Sequence, residues 1–546
     1  MNIEKPYLLL FFGLMLFLGV SNLMDHRVQH DFPYAYLASD AFQQQTRADG
    51  IADAGNYRNE PFYIVKGFKD VIGYYPPLIH HLGILMHFAT GIPAYDTAYF
   101  MVFFSAILAA FVMYIIIKSY NKNIAILSLP LSILIFSDKS YIGFVWGHWA
   151  SITGQLFLIC VFWSIVRFEM AKSEVILGIF MGALALAHTS ELVYGIAFVG
   201  LYGVWLLSNK KLNTKFFKKT AIAAAIAIVI SIYSLYIFYN SFMVVNPYEF
   251  EVSKDWGGTP IFEITDFHLL LAFMAIGLIA GFLMIKKIDV PVLAGIFMLL
   301  VGYTNYIGFG IRAFQPRLFW PIYFSIFFGI GLYTLIKYIP LNSKTILAFC
   351  LSIFFVLAIS NVIFIPNIPT YSKLSNQGIM DSWHWQMFQW ISKNTEIDSK
   401  IYFFYGDIYG QDAILRNSKR LHVQVIPDDF IAALQNRTVK RAYWTEAPAD
   451  HGAGFPYFKS FLNIGLHLRE DTNYWLLQPQ PPYIDICKFD YLVFDRATRQ
   501  EALAQYNLII ANQMIKKGAQ PVFQNEVSIV LKNGNVGGDC IEEGTF

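Results

Sequence analysis

Two aspartates in the first long polar segment of the sequence could act as a general base or hold a cation. Asp31 and Asp40 follow an apolar run that ends near residue 24. Ser39 or Asp40 suits the N-cap of a helix, which would hold the Asp40 carboxylate at a helix start. A carboxylate there could take a proton from an acceptor or bind a divalent cation. The plainer alternative is that Asp40 only caps the helix, and Asp31 has the same ambiguity.

Two arginines precede a late apolar run in the segment GIRAFQPRLFW. They are Arg312 and Arg317. A guanidinium group binds phosphate oxygens in a bidentate way, so the pair could neutralise a phosphate at headgroup level. The alternative is ordinary anchoring at the membrane interface beside Trp320.

Two further polar breaks interrupt apolar runs. His188 and Glu191 lie in one of them, and Asp138 and His148 lie in the other. A Glu between apolar segments is costly unless it faces water or a partner, so His188 and Glu191 are candidates for substrate binding or for the interior of a helix bundle. A simple turn between helices explains them equally well. Asp138 and His148 could join Asp40 as metal ligands, although a lone His beside Trp residues is usually packed.

The elements that must position these residues are mostly membrane helices. Of the 546 residues, 56% are hydrophobic and 14% are charged, against roughly 25% charged in an average soluble domain. This composition excludes an ordinary soluble enzyme. The net charge is +2, and basic residues do not cluster beyond pairs, so no nucleic-acid partner is predicted.

A span needs about 20 apolar residues, and the chain offers about eleven such runs up to residue 365. We therefore predict a polytopic α-helical membrane domain over residues 1–365. The predicted spans are 6–24, 95–117, 123–137, 150–168, 174–188, 190–208, 220–242, 267–285, 290–308, 317–338 and 344–365.

Lys and Arg concentrate in alternate short loops, which predicts a cytoplasmic N-terminus in a multi-pass plasma-membrane protein. The first loop, 25–94, and the tail, 366–546, are then extracytoplasmic. This register requires that 76–91 forms a juxtamembrane or half-inserted helix. The largest cytoplasmic segment, 209–219, is too small to bind a soluble nucleotide substrate, so the chemistry is predicted at the outer face.

The tail differs in composition, because long apolar runs stop at Pro366. Strand patterns at 401–405, 421–426, 490–494 and 526–532 alternate with helical patterns at 381–393, 428–436 and 497–517. We predict a C-terminal extracytoplasmic α/β domain, within the usual size range of a domain. Cys487 and Cys540 could form a disulfide if this domain is outside the cytoplasm.

The order of these features resembles the GT-C superfamily of lipid-phosphosugar-dependent membrane glycosyltransferases, and within it the catalytic subunit of oligosaccharyltransferase. That family has Asp-Pro-x-x-x-x-Arg-Ala in its first outer loop and then a Gly about fifteen residues after the Asp. Asp40, Arg47-Ala48 and Gly55 are similar in type, with the Arg displaced by one position. Tyr75-Pro76-Pro77-Leu78 resembles the family's Tyr-Pro-Gly-Leu, and Arg317 resembles its late arginine.

The tail also resembles the family, whose WL-x-x-NTP-x-D motif is similar to the stretch from Trp390 to Asp398. Two departures matter. The family's second acidic pair is missing, and Gly147-His148 occupies the expected place, so a Mg²⁺ or Mn²⁺ site would have lost a carboxylate or exchanged it for imidazole. The aromatic Asp-Tyr-Gly motif that reads the acceptor sequon is altered to Phe-Tyr-Gly-Asp at 404–407, so glycosylation of peptide Asn is not implied.

The resemblance implies transfer of a sugar from a polyprenyl-phosphate or polyprenyl-diphosphate carrier to a glycan, lipid or protein acceptor at the outer face. The implied roles are a base or metal ligand at Asp40 with Asp31 assisting, donor-phosphate binding by Arg317, Arg312 and Arg47, substrate binding by His188, Glu191, Tyr405 and Trp383, and possible metal binding by Asp40, Asp138 and His148. Core packing is the alternative for Tyr405 and Trp383. The rival functions are an oligosaccharyltransferase acting on Asn sequons and a non-catalytic protein that binds glycans or transports lipids.

Overall fold

The computed structural model describes residues 3–55, 61–64, 76–238, 262–307, 314–339, 343–372, 377–424, 431, 434, 441–443 and 483–542. The chain divides into two compact units. The membrane unit contains Met1–Asp25, Pro76–Tyr236 and Glu249–Ser375, and the loop–tail unit contains His26–Tyr75, Ile237–Tyr248 and Asn376–Phe546. The first loop therefore groups with the tail.

Helices dominate the membrane unit, and one further helix, α2 (Ser39–Ala54), lies in the first loop. Their bounds are α1 Glu4–Gln29, α2 Ser39–Ala54 (loop–tail unit), α3 Leu78–Thr90, α4 Ala94–Lys118, α5 Lys122–Ser128, α6 Asp138–Val145, α7 Trp149–Val166, α8 Ser173–Ala187, α9 Thr189–Ser208, α10 Thr214–Phe238, α11 Leu270–Met284, α12 Asp289–Gly302, α13 Phe314–Leu318, α14 Trp320–Tyr323, α15 Ser325–Ile336 and α16 Lys344–Ile359. Short 3₁₀ segments lie at Leu129–Phe136, Ile264–Phe267 and Thr304–Ile307.

The predicted count of eleven spans is not confirmed. Within the described residues, four helices (α4, α7, α9 and α10) are long and apolar enough to cross a membrane, or five if α5, its 3₁₀ continuation and α6 form one span bent by 56°. Six further apolar helices have 10–17 residues, and one of them, α3, occupies the stretch predicted as a short juxtamembrane helix.

Prolines account for two of the broken segments. The predicted span 123–137 becomes α5 followed by a 3₁₀ helix that has Pro130 at its start, and the predicted span 317–338 is divided among α13, α14 and α15, with Pro321 at the start of α14. Proline lacks a backbone N–H and clashes with the preceding turn, so a continuous helix is interrupted there. A hydropathy window does not detect such interruptions.

Close helix packing in the membrane unit depends on glycine. A Cβ on Gly277 of α11 would lie 1.6 Å from the Phe327 carbonyl oxygen of α15, and a Cβ on Gly331 would lie 2.0 Å from the Phe273 carbonyl oxygen. Only residues without a side chain allow the two backbones to approach this closely, as is common between membrane helices.

The tail forms the small α/β domain that its sequence predicts. Its elements are α17 Ser382–Asn394, β1 Lys400–Phe403, α18 Asp412–Leu415, β2 Leu421–Gln424, β3 Arg441–Tyr443, β4 Tyr483–Asp485, β5 Tyr491–Asp495, α19 Glu501–Lys516, β6 Gln520–Gln524 and β7 Ser528–Lys532. The main sheet has the order β2-β1-β5-β7-β6. Strands β2, β1 and β5 are parallel, and β7 is antiparallel to both β5 and β6.

Strands β1, β2, β5 and β7 confirm the four predicted strands, and α17 and α19 confirm two predicted helices. The predicted helix 428–436 lies largely outside the described residues. Strand β6 was missed, because Pro521 weakens its strand pattern. Cys487 and Cys540 form the disulfide that the sequence analysis considered.

The first loop is built into the core of the loop–tail unit. Tyr63 and Ile64 are buried in one cluster with Leu492 and Phe494 of the sheet domain. Tyr36 also forms a β-bridge with Gly378, and the Tyr36 carbonyl accepts a hydrogen bond from the Ile379 amide at 2.8 Å. These contacts fix the chain just before α2.

Candidate functional site

Asp40 is exposed and lies in the first turn of α2. The N-cap position of this helix is Ala38, and no side chain caps it, so the capping role predicted for Ser39 or Asp40 is wrong because the helix begins earlier. The positive end of the helix dipole favours a carboxylate in the first turn. Asp31, the other predicted carboxylate of this loop, is also exposed.

Helix α2 is fixed by its buried face. The Gln45 side-chain amide donates to Asp49 at 2.9 Å and to Asn417 at 2.7 Å. Near the helix end, Asp53 accepts a hydrogen bond from the Tyr63 hydroxyl at 2.7 Å. Arg47, which the resemblance assigns to the donor phosphate, belongs to the buried part of α2 and is 3% exposed. These contacts hold α2, and with it the backbone of Asp40, in a fixed position.

Arg317, at the end of α13, is buried and held by three oxygen acceptors. Its Nε donates to the Gly302 carbonyl at 2.7 Å, and its Nη2 donates to Asn305 at 3.1 Å. Its Nη1 forms an ion pair with Glu263. The second predicted arginine, Arg312, lies outside the described residues.

Aromatic rings surround the same guanidinium group. Its central carbon lies 5.0 Å from the Tyr303 ring centre, 5.5 Å from that of Tyr306 and 5.7 Å from that of Trp320. These contacts are within cation–π range. Tyr306 and the Glu263 side chain are both exposed, so the cluster has an open side. A planar cation held in a fixed orientation suits bidentate recognition of phosphate.

His188 and Glu191 form a buried polar network where α8 meets α9. Glu191 accepts hydrogen bonds from Ser151 at 2.6 Å and from Gln155 at 2.8 Å, both on α7. The His188 Nδ1 pairs with the other Glu191 oxygen. The bundle-interior interpretation of these two residues is therefore confirmed, and their binding of substrate stays a prediction.

The Arg317 cluster and the Glu191 network share the short helix α14. Trp320, at the start of α14, lies within cation–π range of Arg317. Tyr323, at the end of α14, donates a hydrogen bond to the Gln155 side chain. Sequence reasoning missed Gln155 and Tyr323, because both lie inside apolar runs that read as plain spans. A polar side chain in the middle of an apolar run could have indicated both residues.

The predicted metal ligands do not form a metal site within the described residues. Asp138 is exposed in the first turn of α6, and His148 is half-buried after that helix. Nowhere in the described part of the chain do three or more His, Cys, Asp or Glu side chains have an arrangement that could hold a metal ion. Binding of a divalent cation by Asp40, Asp138 and His148 stays a prediction.

The tail carries a polar cluster that the sequence analysis missed. Asp495 is the buried last residue of β5, and its carboxylate lies 3.4 Å from His384 Nε2. The His384 Nδ1 lies 2.5 Å from Asp381, the N-cap of α17. Burial alone would lower the pKa of His384, but the hydrogen bonds to Asp381 and Asp495 outweigh it and raise that pKa to about 9. Asp495 could have been identified from the sequence, because it ends a predicted strand and parallel strands end at the same edge of a sheet.

The two tail aromatics predicted to stack on a sugar differ in exposure. Trp383 is 41% exposed on the first turn of α17. Tyr405 belongs to the buried core, and its hydroxyl donates to Asp407 at 3.1 Å. Burial and the neighbouring Asp407 charge raise the pKa of Tyr405 to about 12. Of the two rings, Trp383 has a face open to a ligand.

The chain is similar in structure to three kinds of solved protein. It matches ArnT from Cupriavidus metallidurans bound to undecaprenyl phosphate with a TM-score of 0.54 and 12% identity, covering 98% of this chain and 99% of that one. It matches the Archaeoglobus fulgidus oligosaccharyltransferase in its apo form with a TM-score of 0.55 and 11% identity, over 92% of this chain and 73% of that one. The mycobacterial arabinofuranosyltransferase AftD gives a TM-score of 0.54 and 12% identity, over 97% of this chain but 40% of that one.

The chain has the GT-C fold. The resemblance inferred from the short motifs is thus confirmed as a fold, and the match runs through both units. No protein-family profile matches the sequence, and no curated protein matches it either. At identities of 11% and 12% the comparison concerns the GT-C fold alone.

Proposed function

We propose that this GT-C protein is a membrane glycosyltransferase that moves a sugar from a polyprenyl-phosphate or polyprenyl-diphosphate carrier to an acceptor on the extracytoplasmic face. The observation that supports this is the structural match over 98% of the chain to ArnT bound to undecaprenyl phosphate. The oligosaccharyltransferase and arabinofuranosyltransferase neighbours are glycosyltransferases as well.

In the proposed reaction, Asp40 is the base, with Asp31 assisting. An acceptor hydroxyl attacks the anomeric carbon of the donor sugar while its proton passes to the Asp40 carboxylate. The bond from the anomeric carbon to the carrier phosphate oxygen breaks, and the bonding electrons leave with the phosphate. The exposure of the Asp40 side chain would give an acceptor access to it.

Arg317 would neutralise the charge that develops on the departing phosphate. Its guanidinium group is already oriented by Gly302 and Asn305, so little reorganisation is needed. Glu263 now occupies one edge of that group. Donor binding would therefore exchange the Glu263 carboxylate for phosphate oxygens. Arg312, His188, Glu191 and Trp383 are further proposed contacts to the donor or acceptor.

Two independent features support the proposed sidedness of the reaction. Lys and Arg favour a cytoplasmic N-terminus in the sequence, and the Cys487–Cys540 disulfide is typical of an oxidising, extracytoplasmic compartment. We infer that the domain 366–546 and the first loop face away from the cytoplasm of a multi-pass membrane protein. A carrier lipid would deliver activated sugar to that face.

An oligosaccharyltransferase is the second candidate. The A. fulgidus enzyme matches 92% of this chain with a TM-score of 0.55. In this case the acceptor would be the amide of Asn in a sequon rather than a hydroxyl. A non-catalytic binder or transporter of lipid-linked glycans would have the same fold without turnover.

The test is sugar transfer by the purified protein from a set of radiolabelled polyprenyl-phosphate and polyprenyl-diphosphate sugars to membrane acceptors and to a sequon peptide. Asp40→Asn should lower turnover by at least 100-fold while donor binding is kept. Arg317→Lys keeps the charge but loses the planar fork, so we expect a smaller but clear loss. Transfer measured with and without chelator reports any metal dependence.

Two variants provide matched controls. Asp398→Asn removes an exposed carboxylate of the tail, away from the first loop that carries Asp40. Arg167→Ala removes a cation from the end of α7 in the membrane unit. Both should transfer sugar at the wild-type rate. Donor binding without transfer from any donor, in a folded wild-type protein, would contradict the enzyme and favour the binder. Transfer to the sequon peptide alone would favour the oligosaccharyltransferase.

A further inference from the structure

A polar cavity lies at the end of the membrane unit opposite the Arg317 cluster. Helix α12 begins at Asp289 and ends at Gly302, whose carbonyl binds Arg317. Helix α9 begins beside the Glu191 network and ends at Ser208. The cavity is lined by residues from the far ends of both helices, namely Trp205, Asn209 and Asp289 among others. Within the membrane unit, the cavity is therefore separate from the Arg317 cluster.

The cavity has a volume of about 350 Å³ and contains two lysines, Lys211 and Lys286. It also contains two carboxylates, of which Glu169 has a cationic partner and Asp289 has a neutral one. Glu169 pairs with Lys215 at 2.5 Å, and Asp289 accepts a hydrogen bond from the Tyr120 hydroxyl at 2.8 Å. Both cavity lysines are exposed, and among the described residues neither ammonium group has an ion-pair or hydrogen-bond partner. Two ammonium groups are thus available to an anion.

An apolar groove adjoins this cavity along α8, α9 and α10. The groove has a volume of about 690 Å³ and an almost wholly apolar lining, and Phe216 lines both the groove and the cavity. Gly200 and Gly203 of α9, and Ala223, Ala224 and Ala227 of α10, keep it open. Because α9 and α10 are the least buried of the four long apolar helices, the groove faces the surrounding lipid.

A buried lysine fixes the start of α10 beside the cavity and the groove. Lys219 of α10 is buried, and its Nζ donates to the carbonyls of Phe168 and Met170 at 2.6 and 2.7 Å and to the Ser173 hydroxyl at 2.6 Å. It thereby fixes the turn between α7 and α8 against the start of α10. Lys219 has a structural role that Lys211 and Lys286 do not share.

We propose that the cavity and groove together bind one anionic phospholipid of the bilayer, with its phosphate between Lys211 and Lys286 and an acyl chain in the groove. Charge complementarity supports this occupant, since the cavity offers two ammonium groups to a phosphate and adjoins an apolar groove at Phe216. The side-chain amides of Asn209 and Asn213 line the same cavity and suit a hydroxyl-bearing headgroup such as that of phosphatidylglycerol. The site is independent of the proposed sugar transfer.

The headgroup is tested by binding of labelled phosphatidylglycerol to the purified full-length protein in detergent, with phosphatidylcholine as the uncharged comparison. The double variant Lys211→Ala/Lys286→Ala should bind phosphatidylglycerol at least 5-fold more weakly and lose the preference for it. The control Lys210→Ala/Lys287→Ala removes the two neighbouring lysines that do not line the cavity, and it should bind like the wild type.

The acyl-chain groove is tested separately with Gly200→Leu. A Cβ at Gly200 has no atom within 4 Å, so the new side chain enters the groove without disturbing the helix. Its melting temperature should be unchanged, while phosphatidylglycerol binding falls at least 5-fold. Equal losses in the Lys210/Lys287 control would show diffuse attraction only and would overturn the proposal. Unchanged binding in Gly200→Leu, no selective binding by the wild type, or tighter binding of polyprenyl phosphate that displaces phosphatidylglycerol would each overturn it as well.

Discussion

At the scale of single residues, several buried polar side chains have fixed partners, and His384 shows how much such a partnership contributes. The imidazole lies between Asp381 and Asp495, and its pKa is raised to about 9. Burial would raise the pKa of Asp381, but the hydrogen bond from the His384 side chain, the His384 charge and the backbone N–H groups of His384 and Trp383 together lower it. His384 is therefore protonated at neutral pH and joins the start of α17 to the end of β5.

We predict that this contribution to stability depends on pH with a definite sign. A raised folded-state pKa stabilises the protein fully below the ordinary value of 6.5, and the effect is lost as the pH rises through about 9. The shift corresponds to at most about 3 kcal/mol. The difference in unfolding free energy between wild type and His384→Gln should therefore be largest near pH 6 and small above pH 9, as measured by denaturant unfolding.

The control for this measurement is Asn394→Ala, which changes an exposed and uncharged side chain at the end of the same helix α17. Because neither side chain titrates, its effect on stability should be the same at both pH values. A His384→Gln difference that is the same at pH 6 and pH 9 would contradict a charged His384.

At the scale of elements, the position of α2 depends on the backbone bridge that precedes it. Gly378 has a φ of +89°, and a Cβ there would lie 2.5 Å from the Tyr36 carbonyl oxygen. Gly378→Ala should therefore destabilise the loop–tail unit by about 1–3 kcal/mol, through both backbone strain and the clash. Because α2 starts shortly after Tyr36, sugar transfer should fall as well.

Thermal unfolding and the transfer assay measure the two effects of Gly378→Ala. Gly410→Ala is a matched control in the same unit, since a Cβ at Gly410 has no atom within 4 Å and its φ is not in the left-handed region. We expect Gly410→Ala to behave like the wild type. Normal stability and normal transfer in Gly378→Ala would show that the Tyr36 bridge does not hold α2.

Sequence patterns were informative about elements to different degrees. The tail strands could be predicted because β-branched and aromatic runs are short and bounded by turns, as in β1 and β5. The broken helices around Pro130 and Pro321 could not be predicted from average hydropathy, which is the same for a straight and an interrupted span.

The residues of the candidate site also differ in how far the sequence predicts them. Motif spacing predicts Asp40 and Arg317 as site residues, whereas the contacts of Glu263, Gln155 and Asp495 are with residues distant in sequence.

At the scale of the whole molecule, the disulfide links stability with sidedness. Cys487 and Cys540 are 53 residues apart, and closing a loop of that length contributes about 4 kcal/mol in the chain-entropy description. Cys487→Ser/Cys540→Ser should lower the unfolding temperature of the protein. Cys350→Ser, which removes an exposed free cysteine of the membrane unit, should not.

The oxidation state of the same pair also tests the proposed orientation. If the tail faces an oxidising compartment, Cys487 and Cys540 are joined in the cell, and alkylation during lysis under denaturing conditions should leave both unmodified until a reductant is added. Cys160 and Cys350 should be alkylated without reduction, since both are free thiols. A protein in which all four cysteines react at once would contradict both the disulfide and an extracytoplasmic tail, and it would move the proposed acceptor site to the cytoplasmic face.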